Sequence, residues 1–311
     1  NSMDNLLIGT GQISGASFDE LALATVNMLE GDFRPVVVSR CLFAVDRHTG
    51  KKQWTWQRGA IMNSMIAIAE GRVYFLESLN DRAMNESAQR GRMRVDHFCR
   101  ENAWLVALDL KRGKKVWERS VELPFHHIAY LNGKDGVLLA SGSYNDGDKV
   151  FYGLFAFDMA TGADRWRTSF RAMNIRCTDF TETGGTHGEQ WQHPVLNGDT
   201  IYARPFAFSL QTGEKLDYIA YRGGHGCGGL TASTYYLYGR GDNPRMYPLD
   251  VESTEGIPLT RVSRPGCWLN IIPAGGIVMI PESSSGCTCA YPLQTSFALA
   301  PAALSGGVLR R

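Results

Sequence analysis

A small set of histidines, acids and cations carries most of the reactive chemistry in this chain. His187-Gly188-Glu189-Gln190-Trp191-Gln192-His193 brings two imidazoles and a carboxylate close together in sequence. His225 follows between two glycines, and His126 stands beside His127. Imidazole nitrogen and carboxylate oxygen can hold a metal ion or the edge of a redox cofactor, and Glu189 could ligate or serve as a base. His187, His193 and His225 are the candidate metal ligands, although a histidine is more often a hydrogen-bonded structural side chain than a ligand. His187-x-Glu189 is not the zinc-protease pattern, because no helix brings its members together. Arg222 and Arg264 could pair with an anionic group, Trp191 and Trp268 could supply a flat apolar floor, and Asp179 adds a carboxylate.

The cysteines suggest a compartment. There are seven in 311 residues, and none forms a CxxC zinc pair or a haem-attachment motif. Cys227, Cys267, Cys287 and Cys289 lie in glycine-rich loops, which reads as loop disulfides formed in an oxidising compartment. Cys177 with Cys227, and Cys267 with Cys287 or Cys289, are the candidate pairs, and an odd count leaves a thiol over. A soft-metal role for Cys287 and Cys289 is the alternative. The first residue is Asn and no signal-peptide pattern opens the chain. The expectation is a removed leader or a piece of a longer protein.

Composition narrows the class. Hydrophobic residues make up 44%, enough for a large core, and 34 glycines suit many tight turns. The formal charge is +1, from 32 basic and 31 acidic residues. That speaks against a general attraction to nucleic acid or anionic lipid, and no nucleic-acid partner is expected. No run of 18 apolar residues occurs, so no transmembrane helix is expected.

A repeated segment must position these groups. Leu42-Phe43-Ala44-Val45-Asp46 leads through Gly50 to Trp54, Leu105-Val106-Ala107-Leu108-Asp109 through Gly113 to Trp117, and Leu154-Phe155-Ala156-Phe157-Asp158 through Gly162 to Trp166. A fourth copy is weaker: Phe206-Ala207-Phe208-Ser209 leads through Gly213 to Leu216. Each reads as an apolar strand, a turn and a second strand. The aspartate can bond backbone two residues on and start the turn, and glycine supplies the positive φ that closes it. Tryptophan is large enough to pack on the neighbouring repeat. The Asp or Ser positions are 63, 49 and 51 residues apart, against about 40–50 for a four-stranded propeller blade. The long first interval contains an insertion, Glu77–Asn102, carrying His97 and Cys99.

Further strand pairs lie between the hairpins: Met65–Ala69 with Arg72–Leu76, Ile128–Leu131 with Gly136–Ser141, and Pro194–Asn197 with Thr200–Arg204. Each blade then runs A–B–C–D, with the Asp-Gly-Trp hairpin as C–D, and helical periodicity is confined to a turn or two except at Phe18–Leu29. The fold class is all-β, a propeller with about six blades visible over residues 41–301. Residues 1–40 form an irregular N-terminal segment in which Leu6–Thr10 is a candidate ring-closing strand, and residues 302–311 form a tail.

Up-and-down topology sorts the loops. A–B and C–D turns emerge at one end of a blade, B–C loops and D–A connections at the other. The repeated hairpins therefore belong to a scaffold face, and Lys111-Arg112-Gly113-Lys114-Lys115 reads there as a solvated basic turn. The unusual residues lead into A strands or lie in B–C loops on the opposite face. His126, His187, Glu189, Gln190, His193, Arg222, His225, Arg264 and Trp268 are thereby expected around the mouth of the central channel, the default ligand site of a propeller.

The Ala-x-Asp-x-x-x-Gly-x-x-x-Trp hairpin resembles the tryptophan-docking repeat of the PQQ-binding-like propeller superfamily, which includes quinoprotein alcohol dehydrogenases and the assembly lipoprotein BamB. The stretches Gly224–Ser233, Arg264–Asn270 and Ser285–Ser296 resemble the C-terminal part of large PQQ-like proteins of planctomycete-type bacteria. The resemblance spans roughly residues 36–301. It implies a ring of about seven or eight blades, a periplasmic or envelope location, and a binding or scaffold module working with a protein partner or with other domains of a longer chain. The alternative it implies is an oxidoreductase or electron-transfer protein holding PQQ with calcium, another metal or haem. The quinoprotein dehydrogenases carry a disulfide between adjacent cysteines, and this chain has no Cys-Cys pair.

Overall fold

The structure is a computed structural model. It describes residues 2–3, 5–12, 38–87, 95–126, 129–147, 149–171, 193–219, 229–240, 243–249, 256–263, 265, 270–282, 293 and 295–301. The chain divides into two compact units, residues 1–172 with 182–189 and residues 173–181 with 190–311. Described residues of the first run from Ser2 to Arg171, and of the second from His193 to Pro301.

The first unit contains three antiparallel meanders. The first is β1 (Ser2–Met3), β2 (Leu6–Gln12), β3 (Val38–Asp46) and β4 (Lys52–Trp56). The second is β5 (Ala60–Ala69), β6 (Arg72–Ser78), β7 (Ala103–Asp109) and β8 (Lys115–Val121). The third is β9 (Ala129–Lys134), β10 (Val137–Asp146), β11 (Lys149–Asp158) and β12 (Asp164–Arg171). Each has the consecutive pairing expected of a blade. Val38 and Ser39 of β3 also pair with Met62 and Ile61 of β5, so the first two meanders merge at that end.

Two details differ from the sequence reading. Leu6–Thr10 lies in β2, whose residues pair along β3 from Leu6↔Asp46 to Gln12↔Ser39, so it is an inner strand of the first meander rather than an outer strand of the last. Strand β5 starts at Ala60, ahead of the expected Met65, because Ala60 and Ile61 already pair with Ser78 and Glu77 of β6 before the register shifts between Ile61 and Ile66. The insertion folds as two short helices, α1 (Asp81–Ser87) and α2 (Val95–Cys99), with Val95, Phe98 and Cys99 buried.

Strand alternation explains the apolar runs. In β6, Val73 and Phe75 enter the core shared with the first meander, while Tyr74 and Leu76 enter the core shared with the third. In β7, Val106 and Leu108 take the first side and Leu105 and Ala107 the second. A strand buried on both faces reads as continuous apolar sequence. The outer β8 alternates less and is largely exposed.

The second unit holds β13 (Val195–Asn197), β14 (Thr200–Ala203), β15 (Phe206–Ser209) and β16 (Lys215–Ile219), then β17 (Thr231–Ala232), β18 (Tyr236–Gly239), β19 (Arg245–Pro248) and β20 (Ile257–Pro258). A last sheet has β21 (Ile272–Ala274), β22 (Ile277–Ile280) and β23 (Phe297–Leu299). Among the described residues this gives six meanders, five of four strands and one of three.

The repeat residues build one device. Asp46 Oδ1 accepts the backbone N–H of His48 and Thr49, Asp109 Oδ1 those of Lys111 and Arg112, and Asp158 Oδ1 those of Ala160 and Thr161. Hydrogen bonds to its ionised form hold Asp46 below the usual carboxylate range, the Thr49 N–H first among them. In the weaker copy Ser209 Oγ accepts only from Thr212, at 3.3 Å.

The residue after each turn-starter donates its N–H to the A–B turn of the same meander, Arg47 to Asn5, Leu110 to Gly71, Met159 to Gly136 and Leu210 to Asp199, and Leu249, after Pro248 at the end of β19, makes the corresponding bond to Tyr235. At Leu110 and Met159 the carbonyl then serves the neighbour. Trp54 Nε1 donates to Leu110 O at 2.8 Å and Trp117 Nε1 to Met159 O at 3.0 Å. Met159 O also accepts from Arg72 Nη1 and Tyr74 OH. Trp166 pairs with Ala156 across β12 and β11.

The turn glycines are the floor for these indoles. A Cβ on Gly113, whose φ is +63°, would stand 2.5 Å from Trp54 ring carbons, and one on Gly162 2.7 Å from Trp117. Gly71 also has positive φ but meets nothing within 4 Å. Gly71→Ala should therefore cost about 1 kcal/mol, the backbone term alone. Gly113→Ala should cost about 1–3 kcal/mol more, because the ring must move. Urea unfolding of both variants measures the difference, and equal losses would refute the packing role of Gly113.

Candidate functional site

His126 lies in the connection between β8 and β9, at the B–C and D–A end of the first unit. Its backbone N–H donates to Ser143 O, and its Nδ1 accepts the Asn145 N–H at 2.8 Å. Nε2 is 2.7 Å from Arg100 Nη2, just beyond α2. The Arg100 guanidinium, which can only donate, thus meets the His126 ring where the insertion of the second meander meets the start of the third.

His193 is exposed, immediately before Pro194 and β13 in the second unit. His187, Glu189, Gln190, Arg222, His225, Arg264 and Trp268 lie outside the described residues, as do Cys177, Cys227, Cys267, Cys287 and Cys289. Cys41 and Cys99 are free thiols, and burial pushes the Cys99 thiol far up. No group of three metal-ligating side chains occurs among the described residues, and no helix among them is long and apolar enough to cross a membrane.

The structure adds a polar cluster near the same end of the first unit. Glu77, on β6, is fully buried. Its Oε2 accepts Arg58 Nε at 2.7 Å and lies 2.6 Å from Arg58 Nη2; its Oε1 accepts the Gly59 N–H at 2.7 Å and Trp56 Nε1 at 3.1 Å. The guanidinium lies 5.3 Å from the Trp56 ring centroid and 5.9 Å from that of Trp104. Arg58 Nη1 reaches Glu118, which also holds Lys115. Burial alone would lower the Arg58 pKa, but the two carboxylates outweigh it and raise the value. Glu118 is held low by Lys115 first and then by Arg58.

Among its described residues the second unit carries two buried arginines. Arg204 follows β14 and Arg240 follows β18, each five residues past the corresponding A–B turn carbonyl of Asp199 and Tyr235. Arg240 Nε donates to Pro265 O at 2.7 Å. Burial pulls the Arg204 guanidinium down to about 10. Tyr202 and Tyr218 meet edge to face at 5.3 Å, and burial pushes the Tyr218 phenol up to about 12.

Sequence reading missed Arg58, Glu77, Arg100, Arg204 and Arg240. Only Glu77 left a signal, as an acid continuing the inward alternation of Val73 and Phe75. Replacing it tests the cluster. In Glu77→Gln one acceptor becomes a donor facing N–H groups, so stability should fall by about 3 kcal/mol, measured by denaturant unfolding. A loss below about 0.5 kcal/mol would mean the pair is merely tolerated. Glu118 is lowered in the fold, so its contribution is present above the ordinary carboxylate range and lost as pH falls through its lowered value. Wild-type melting temperature should therefore drop on acidification below about pH 4, and the drop should be shallower in Glu118→Gln.

Against known proteins, a family model described as outer membrane protein assembly factor BamB matches residues 25–216. None of the curated proteins matches the chain in sequence. Among solved structures, BamB from Moraxella catarrhalis is similar at 16% identity and a TM-score of 0.39, over 81% of this chain and 79% of that one. The computationally designed Ika8 protein is similar at 11% identity and a TM-score of 0.40, over 83% and 84%. Quinohemoprotein alcohol dehydrogenase from Comamonas testosteroni is similar at 14% and 0.37, over 89% of this chain and 45% of that one. With the family model covering well over half of its length, the chain belongs to the PQQ-like β-propeller family of the BamB type.

Proposed function

We propose that this protein is a binding or scaffold module of the cell envelope, working with a protein partner or with other domains of a longer chain. The observation that supports this most directly is the match of residues 25–216 to a family described as an outer-membrane assembly factor. The body of the module is the propeller over residues 41–301. In this reading the B–C and D–A connections present the ligand surface. His126 and Arg100 lie there in the first unit, and His187, Glu189, Gln190, His193, Arg222, His225, Arg264 and Trp268 are its remaining candidates. The loop cysteines suit disulfides in the oxidising periplasm.

Cell fractionation and crosslinking of the intact protein in its native cells test the reading. The expected result is recovery in the envelope fraction, joined to an outer-membrane protein or to the machinery that assembles one. Recovery in the cytosolic fraction would overturn it. So would oxidation of an alcohol or sugar by the purified protein with added PQQ and Ca²⁺, which would assign a quinoprotein dehydrogenase instead.

A further inference from the structure

The chain's net charge is +1, yet two neighbouring turns concentrate positive charge. The span from Asp46 to Lys52 contains Arg47, Lys51 and Lys52; that from Asp109 to Lys115 contains Lys111, Arg112, Lys114 and Lys115. All seven cations are exposed, and the two aspartates are the only acids in these spans. The turns adjoin. Trp54, two residues beyond Lys52, hydrogen-bonds Leu110 O, and its ring lies against Gly113, between Arg112 and Lys114.

Among the described residues, three of the seven cations, Arg47, Lys111 and Lys115, have a contact of their own. Lys115 pairs with Glu118 at 2.6 Å, and Arg47 Nε contacts His48. Among the described residues, the side chains of Lys51, Lys52, Arg112 and Lys114 make no ion pair or hydrogen bond. Like charges held this close repel one another, and an acidic partner would relieve the repulsion.

The patch has an edge. On the same face, Glu70 in the turn between β5 and β6 accepts the Gly136 N–H, and the turns of the third meander bring Asp135, Asp158 and Asp164 with Lys134 and Arg165, Lys134 being already paired with Asp135 at 3.1 Å. A planar anionic surface laid on this face would meet those aspartates. A narrow acidic segment need meet only the first two turns. Val116, exposed beside Lys115, adds an apolar contact for such a segment.

We infer that the C–D turns of the first two meanders form a docking surface for an acidic segment of a protein partner. The surface lies at the opposite end of the blades from His126 and Arg100. It stands independently of the envelope role, since it rests on charge alone.

Fluorescence anisotropy with a labelled peptide of about eight glutamates, at about 50 mM salt, tests it. The wild-type protein should bind. Lys51→Gln/Lys52→Gln and Arg112→Gln/Lys114→Gln should each weaken binding by roughly three- to tenfold, and their combination by more than about tenfold. Lys134→Gln/Lys149→Gln should bind like wild type. The four changed side chains are exposed, and thermal melts of each pair confirm the fold separately. No wild-type binding, or equal binding by all variants, would overturn the inference. Tighter binding to vesicles containing anionic lipid, or to a single-stranded DNA oligonucleotide, would overturn the choice of an acidic protein.

Discussion

The bond from an outer-strand indole to the next blade's turn is the constraint on which the first unit depends. Trp54 reaches Leu110 O and Trp117 reaches Met159 O. Each carbonyl belongs to the residue after a turn aspartate, and the aspartate fixes where that carbonyl points by holding the following N–H groups. The same residue's N–H is tied to the A–B turn of its own meander. Aspartate, glycine and tryptophan are thus parts of one joint, with the tryptophan supplied by one blade and the turn by the next. A meander with apolar residues on both faces cannot stand alone in water. The joint sets the register in which two such meanders cover each other.

This explains what could be read in advance. The hairpin is legible because its chemistry is local: an acceptor side chain, a positive-φ glycine and a ring at fixed offsets. The A–B pairs were legible from short apolar runs separated by Gly-containing turns such as Glu70-Gly71 and Asn197-Gly198-Asp199. The place of Leu6–Thr10 was not, because pairing of an apolar strand depends on which edge is open, and Leu6–Gln12 finds β3 across residues 13–37. Arg58 and Glu77 are 19 residues apart, and no period links them. They meet because β6 turns Glu77 inward beside the connection that carries Arg58.

The candidate site was legible only in outline. Topology gave the end of the blade to His126, but its partners Arg100 and Asn145 come from an insertion and from an extended strand end that follow no repeat. His187, Glu189, Gln190, Arg222, His225, Arg264 and Trp268 sit in segments without repeat grammar, where residue type suggests chemistry but sequence spacing does not give geometry. The buried Arg204 and Arg240 show a different limit. Their equivalence emerges only after A–B turns are aligned through the Leu210–Asp199 and Leu249–Tyr235 bonds.

The two ends of a blade are free to change in different ways. At the B–C and D–A end, connections can lengthen, and the second meander inserts α1 and α2 there while burying Phe98 and Cys99. At the A–B and C–D end, length is fixed by the joint, since an added residue would misplace the carbonyl that the neighbouring indole needs. What remains variable is the charge of side chains pointing away from it. Positions 47, 51, 52, 111, 112, 114 and 115 are exposed and leave the indole contacts untouched. A basic surface can therefore be assembled there without disturbing the fold, and the rigid spacing of the joint holds its charges in a fixed pattern. A flexible loop of the same composition would have to be ordered by its partner, at a cost in entropy. Here the scaffold has already ordered the backbone that carries the charges, so a bound acidic segment would need to immobilise only the side-chain ends.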